Sequence, residues 1–157
     1  MFSQNFSSDY LKSFGNDNWE TIAATIIDAQ GNAYVYGSFS GNIEPDAQHQ
    51  ATSNGKRDVF LVKLNAEGGV EWLKNYGGDD DENAYSLVEN NGNIYLTGSF
   101  KKEMTFASYT SLQATSFTEL FFIKVNASDG EINQQPVPIK GTSAAQQAYL
   151  QKNRMVK

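Results

Sequence analysis

The sequence contains no cysteine, only one histidine and three prolines, and no apolar run of transmembrane length. The absence of cysteine excludes disulfide bridges and thiolate metal sites, and it removes any argument about the redox compartment. His49 has no second histidine or recognisable nucleophile motif near it, so we expect a surface histidine without a catalytic role. The net charge of −6 argues against binding to duplex nucleic acid, because phosphates require a basic face.

The residues that are abundant favour strands. Hydrophobic residues make up 39% of the 157 positions and aromatic residues 13%, which is enough to supply the core of one domain. The aromatic residues are mainly Phe and Tyr, and with many Val, Ile and Thr they favour strands over helices. Thirteen glycines and many Asn and Asp residues supply turns.

The charge is unevenly distributed along the chain. All the acidic residues lie within residues 1–131, whereas residues 132–157 carry four cations and no acid. We interpret residues 138–157 as a basic tail that is either disordered or forms a short helix beginning near Thr142 or Ser143.

One sequence pattern occurs twice, 61 positions apart, and predicts two tandem copies of one unit. The loops 40–57 and 101–118 between the matched segments differ in sequence but have the same length. The repeated glycines and asparagines predict turns and strand packing and have no chemical role: Gly31, Asn32, Gly37, Gly92, Asn93 and Gly98. The matched segments are Gly31–Phe39 with Gly92–Phe100, and Asp58–Asn65 with Glu119–Asn126.

Each copy is expected to form four antiparallel strands joined by tight turns. The first strand of each copy is rich in Ile, Leu and Val with little alternation, which predicts a strand covered on both faces. An Asn-Gly pair before the second strand of the second copy is a strong hairpin signal. The expected strands span 21–28, 32–39, 59–64 and 70–76 in the first copy and 84–89, 93–100, 120–125 and 131–137 in the second.

Four hairpin-connected strands per repeat describe a blade of a β-propeller. The segments Asp28–Phe39, Asp58–Asn65 and Gly68–Trp72 resemble the bacterial SBBP repeat, although the second copy departs from this pattern at Glu89, Glu119 and Asn133. The resemblance implies an all-β fold of antiparallel, four-stranded, propeller-like blades in tandem. It also implies a bacterial protein that is exported or attached to the cell surface, and it implies no catalytic residues.

The repeat divides the chain into a β-repeat region, residues 1–137, and the tail. Residues 1–18 are expected to hold the last strand of a preceding blade, residues 19–78 blade 1 and residues 79–137 blade 2. Closed propellers typically use four to eight blades, so two blades would leave apolar faces open. We therefore expect self-association, packing on another protein, or membership of a longer chain. The first residues do not resemble a signal peptide, so either the protein is cytoplasmic or a signal has been removed.

The acidic run Asp79, Asp80, Asp81 and Glu82 is a candidate Ca²⁺ site, because Ca²⁺ prefers clusters of oxygen ligands. The run lacks the spacing of a known calcium loop, which favours the alternative of a solvated turn between blades. The sequence indicates no other cofactor.

Four aromatic residues are candidate ligand-binding positions. Trp19, Trp72, Tyr76 and Tyr85 would suit platforms for sugars, or they pack between blades as aromatic residues more often do. The preferred hypothesis is a non-enzymatic scaffold, adhesion or protein-interaction module, because sequence variation is concentrated in loops 40–57 and 101–118. A lectin-like carbohydrate-binding module is the alternative. A hydrolase is least favoured, because the sequence lacks a nucleophile–base motif.

Overall fold

The computed structural model describes residues 19–139. The expectations for residues 1–18 and for a helical or disordered tail beyond residue 139 lie outside the described residues. Between residues 19 and 139, no helix has the length and apolar character needed to cross a membrane.

The described chain is all-β, which confirms the predicted fold class at that level. We call residues 19–78 unit 1 and residues 79–139 unit 2. The strands of unit 1 are β1 (Glu20–Ile27), β2 (Ala33–Phe39), β3 (Asn42–Asp46), β4 (His49–Thr52), β5 (Asp58–Leu64) and β6 (Val70–Tyr76). The strands of unit 2 are β7 (Asn83–Asn90), β8 (Asn93–Phe100), β9 (Glu103–Phe106), β10 (Tyr109–Gln113), β11 (Glu119–Asn126) and β12 (Val137–Ile139).

Each unit is built on one antiparallel four-stranded sheet, in the order β1-β2-β5-β6 for unit 1 and β7-β8-β11-β12 for unit 2. The sheets formed by the described residues are open, and they do not close into a barrel or a ring. The predicted Asn-Gly hairpin turn is present, because Asn91 and Gly92 both have positive φ, 51° and 74°, as this type of turn requires.

Two of the repeated glycines are required by close packing within the sheets. A Cβ at Gly37 would lie 2.1 Å from the Thr21 carbonyl oxygen and 2.7 Å from the Phe60 ring. A Cβ at Gly98 would lie 2.2 Å from a backbone oxygen of β7 and 2.4 Å from the Phe121 ring. The same crowding occurs in both units, so these glycines keep one packing arrangement that the repeat reproduces.

The loops 40–57 and 101–118 contain hairpins that the sequence analysis did not predict. Strands β3 and β4 pair in the first loop, and β9 and β10 pair in the second. Each hairpin buries an apolar residue at the equivalent position, Ile43 in unit 1 and Met104 in unit 2. The variable loops are therefore ordered structures fixed to their sheets, and each has an apolar side chain in the core.

Two predictions about strands are wrong. The first strand of unit 1 is not covered on both faces, because Ile22 and Ile27 are each 60% exposed on β1, an edge strand. The fourth strand of unit 2 does not run through residues 131–137. Ile132 forms only an isolated bridge, and β12 begins at Val137, after Pro136 has interrupted the pairing. The β-region therefore extends to Ile139, beyond the predicted boundary at residue 137.

The two units pack head to tail around one shared core. The unit 1 face that carries Tyr34, Tyr36 and Trp72 contacts the unit 2 face that carries Leu96, Phe121 and Ile123. At the 61-residue offset, this unit 2 face is equivalent to the opposite face of unit 1, which forms a separate apolar cluster. Each sheet therefore has two unlike faces. The separate cluster comprises Val35, Phe39, Ile43, Phe60, Val62 and Leu64.

Candidate functional site

The acidic run joins β6 to β7 and lies at the junction of the two units. Asp80 is buried and forms ion pairs with two lysines, Lys56 of unit 1 and Lys102 of unit 2, both at 2.8 Å. The hydrogen bonds that the two lysines donate hold the pKa of the Asp80 carboxyl well below its ordinary value, and Lys102 has the larger effect. A single carboxylate therefore links cations from both units.

Asp81 repeats this arrangement one residue later. Its two carboxylate oxygens pair with Arg57 of unit 1 and Lys101 of unit 2, both at 2.9 Å. Arg57 and then Lys101 lower the pKa of Asp81. We call Asp80, Asp81 and these four cations the junction network.

Glu82 behaves differently, because it is fully buried beside another carboxyl group. One of its oxygens accepts a hydrogen bond from the Gly78 amide at 2.8 Å, and the other, Oε1, has no hydrogen-bond partner. Burial raises the pKa of Glu82 to about 8, and the negative charge of Asp58 adds to this effect. Glu82 is therefore protonated at neutral pH.

Asp58 is the buried partner of Glu82 and comes from the start of β5. Its carboxylate accepts hydrogen bonds from the Asn54 amide and from the Asn75 side chain, both at 3.1 Å. Burial also raises the pKa of Asp58 above its ordinary value. A Cβ at Gly77 would lie 2.3 Å from Asp58 Oδ1 and 2.7 Å from Glu82 Oε2, so only glycine fits between the two carboxyl groups.

The structure separates the four residues of the candidate calcium site. Asp80 and Asp81 bind cations of the protein, Glu82 points into the junction and Asp79 is exposed. Within residues 19–139, no group of three or more His, Asp or Glu side chains is placed to hold a metal ion. The run is also unlike the solvated turn offered as the alternative, because three of its four side chains are engaged or buried.

Two of the four candidate ligand-binding aromatics are closed to a ligand. Trp72 is only 8% exposed, and its indole N–H donates to the Ser128 carbonyl oxygen at 3.1 Å. Tyr76 is equally buried and donates to the Gly130 carbonyl oxygen at 3.0 Å. Both rings pack between the units, which is the second reading that the sequence allowed.

The other two candidates present exposed rings. Trp19 is 46% exposed, and the Arg57 guanidinium lies 4.9 Å from the centre of its ring. Tyr85 is 40% exposed and forms a 2.8 Å hydrogen bond with the Ser99 hydroxyl group. His49 contacts Asp46 at 2.8 Å in the β3–β4 turn, which is a local structural contact in a hairpin.

A cleft of about 520 Å³ lies between the units, and several of the polar groups that line it already have partners. Asp28, which lines the cleft, accepts hydrogen bonds from the Asn32 amide and side chain, both at 2.9 Å, and from the Tyr34 hydroxyl group at 3.3 Å. Lys63, another lining residue, pairs with Glu71 at 2.8 Å. The cleft therefore offers few unsatisfied groups to a ligand.

The cations of the junction network and the Asp58–Glu82 pair were not predicted from the sequence. A signal for the pair is the glutamate at the start of the first strand of each copy: Glu20 is the first residue of β1 and Glu82 directly precedes β7, and each has a buried Oε1 without a hydrogen-bond partner. Glu20 and Glu82 are 62 positions apart, one more than the repeat offset, because Glu20 lies 11 positions before Gly31 whereas Glu82 lies 10 positions before Gly92. No family model matches the sequence, and no curated protein is significantly similar to it.

Proposed function

We propose that the chain is a non-enzymatic, propeller-type scaffold or adhesion module that acts by protein–protein contact within a larger propeller or assembly. The observation that carries this proposal is the stacking of unit 1 on unit 2 through unlike faces around one core. A sheet with two unlike, complementary faces is suited to stacking in series, as in propellers and other repeat proteins.

The partners of the buried polar groups also support a structural role. The polar tips of the aromatic side chains at the interface donate to backbone carbonyl oxygens of the other unit, as Tyr36 does to Thr97 at 3.2 Å. The carboxylates Asp80 and Asp81 join cations of both units. These groups hold the units together and are not directed at a substrate. A setting outside the cell or at the bacterial cell surface, which the SBBP resemblance implies, is part of the proposal.

The test is the mass of the folded protein in solution. Light scattering coupled to size exclusion should give a mass above the 17.4 kDa of the single chain, and the fraction in the larger species should rise with concentration. A folded species that stays at 17.4 kDa at every concentration would count against assembly of the chain with itself. Cross-linking to a second protein in the source cell would then be the remaining support for a scaffold.

The second candidate is a carbohydrate-binding module, which the exposed rings of Trp19 and Tyr85 favour. A glycan array probed with the folded protein should then give binding that is lost in both Trp19→Ala and Tyr85→Ala. Absence of binding by the folded wild-type protein removes this candidate.

A further inference from the structure

The four most exposed large apolar side chains between residues 19 and 139 are Trp19, Ile22, Ile27 and Phe117. Phe117 is 84% exposed, and the two isoleucines of β1 are each 60% exposed. All four stand at positions whose equivalents in the other unit lie at the internal joint, by which we mean the contact between unit 1 and unit 2. We define the outer side of each unit as the side turned away from this joint.

The outer side of unit 1 exposes apolar residues where unit 2 is covered. Strands β1 and β7 align at an offset of 62, because the register shift after Ile22 recurs after Ala84. Ala84 packs against the core that the two units share, and β7 contacts β1 there. Ile27 is equivalent to Glu89, which lines the cleft between the units. The separate apolar cluster of unit 1, which includes Phe60, is already buried, so β1 is the open part of this side.

The outer side of unit 2 carries Phe117 where the internal joint has a cation. At the offset of 61, Phe117 and Thr118 are equivalent to Lys56 and Arg57. The backbone amides of Lys56 and Arg57 donate to the Asp80 carbonyl oxygen at 3.1 and 3.3 Å, and their side chains pair with the acidic run. Residues 56–57 are thus the part of unit 1 that holds the first residues of unit 2, and residues 117–118 have the same position in unit 2.

The chemistry of the two outer sides differs from that of the internal joint in a matched way. Trp19 is equivalent to Asp81, so unit 1 has a ring where unit 2 has a carboxylate, and Ser40 likewise replaces Lys101. The outer side of unit 2 has a phenylalanine and a threonine in place of two cations. Packed on an acidic run, it would leave carboxylates without their cations, whereas against Trp19 it meets a ring. The two outer sides therefore match each other.

We propose that the outer side of unit 2 docks on the outer side of unit 1 of a second copy of this chain. In this head-to-tail contact, Phe117 of one copy lies against Trp19 of the next, and β7 packs on β1. The Phe117 side chain lies 5.1 Å from the Lys101 ammonium and is mostly exposed, so it is free to turn toward the partner. Val88 takes the position that Ile26 has at the internal joint. The inference rests on the proposed function and names the surfaces and the partner for it.

This second joint is weaker than the internal one. Unit 2 has Asn133 and Val137 at the positions of Trp72 and Tyr76, so two rings that donate across the internal joint have no equivalent. The copies should therefore associate and dissociate with concentration while each chain stays folded. A contact between unlike surfaces closes into a ring when its rotation allows this and otherwise continues as a filament.

The test uses one variant for each outer side. Ile22→Lys places a charge on β1, and Phe117→Lys places one on the outer side of unit 2; both positions are exposed, so the fold should be retained, as circular dichroism checks. In sedimentation velocity, each variant alone should need at least an about tenfold higher concentration than the wild type to associate. An equimolar mixture of the two should give a mass of two chains and no larger species, because each variant keeps one intact side.

Gln30→Lys is the matched control. It adds the same charge at an exposed residue that lines the cleft of the internal joint, and it should associate as the wild type does.

Three outcomes would overturn the inference: a wild type that keeps the single-chain mass at every concentration, a folded variant that associates as the wild type does, or a mixture that stays at one chain or grows beyond two. The scaffold proposal survives the second and third outcomes, because another surface then joins the copies. It survives the first if the chain cross-links to a different protein. It fails only if the chain neither associates nor cross-links to any protein.

Discussion

Asp58 of unit 1 and Glu82 of unit 2 enclose Gly77 between two buried carboxyl groups at the junction of the units. The pKa of Glu82 is about 8 in the folded chain, against an ordinary value of 4.5. Between pH 4.5 and about pH 8, the folded chain therefore keeps a proton on Glu82 that the unfolded chain has released. The contribution of Glu82 to the free energy of unfolding is fully present below pH 4.5 and is lost as the pH rises through about 8.

We expect the chain to lose on the order of 3 kcal/mol of stability between pH 5 and pH 9 from this group. Glu82→Gln keeps a neutral side chain at every pH, so this variant should lose most of that dependence and be the more stable protein at pH 9. Chemical denaturation at several pH values measures both effects. Glu44→Gln, at an exposed position, is the control and should follow the wild type. Equal pH slopes for the wild type and Glu82→Gln would contradict the shared carboxyl site.

The junction network should contribute unequally through its two aspartates. The Asp81 pairs are the better buried, since the side chains of Arg57 and Lys101 are less exposed than those of Lys56 and Lys102. Asp81→Asn should therefore cost about 1–2 kcal/mol in urea denaturation, and Asp80→Asn less. Both losses should shrink in 1 M salt, which screens exposed charges. Asp79→Asn should change stability little, and an Asp79→Asn loss as large as that of Asp81→Asn would contradict the network.

Calcium should not stabilise the protein through the acidic run. The oxygens of Asp80 and Asp81 are bound to four cations of the chain, and these would have to be displaced first. We expect the same melting temperature with millimolar Ca²⁺ and with chelator. A rise in melting temperature with Ca²⁺ that is absent in Asp80→Asn would restore the calcium hypothesis.

The repeated glycines Gly37 and Gly98 should be equally intolerant of a side chain. In Gly37→Ala and Gly98→Ala the added methyl group meets a backbone oxygen and a phenylalanine ring, so each should cost about 2–4 kcal/mol. Gly92→Ala has open space but positive φ, and it should cost only about 1 kcal/mol. Thermal or urea denaturation of the three variants tests this order, and a mild effect at only one of the paired glycines would show that the units are not equivalent.

Trp72 should couple the two units in unfolding. Its ring belongs to the shared core and its indole N–H reaches Ser128 of unit 2, so Trp72→Ala should cost about 3–5 kcal/mol. The wild type should unfold in one transition seen alike by tryptophan fluorescence and circular dichroism. Two separate transitions in the wild type would mean that the units fold independently and that the shared core contributes little.

The sequence predicted most of the sheet architecture because the repeat marks its turns and strands directly. The Asn91-Gly92 hairpin and the eight sheet strands follow from turn residues and apolar patterns, apart from the interrupted fourth strand of unit 2. Pro136 and the residues before it break that strand, and its pattern alone did not locate the interruption.

The candidate site was less predictable, because it depends on how the units meet. The pairs of cations Lys56-Arg57 and Lys101-Lys102 lie in dissimilar loops, and only the packing of unit 1 on unit 2 brings both pairs to one acidic run. The β3–β4 and β9–β10 hairpins were missed because each buries few apolar residues and lacks a strong turn signal. Burial of Trp72 likewise follows from the inter-unit contact and not from its own strand.

The unlike faces of the sheets mean that the order of the units matters. Tyr36, Trp72 and Tyr76 anchor unit 1 on unit 2, and the equivalent positions of unit 2 hold Thr97, Asn133 and Val137. A circularly permuted chain in which unit 2 came first would present a face without the three polar-tipped rings and would lose their hydrogen bonds. Two copies of unit 1 in tandem would keep them at every joint. The repeat is therefore directional, because the rings that donate across the joint lie on only one of the two units.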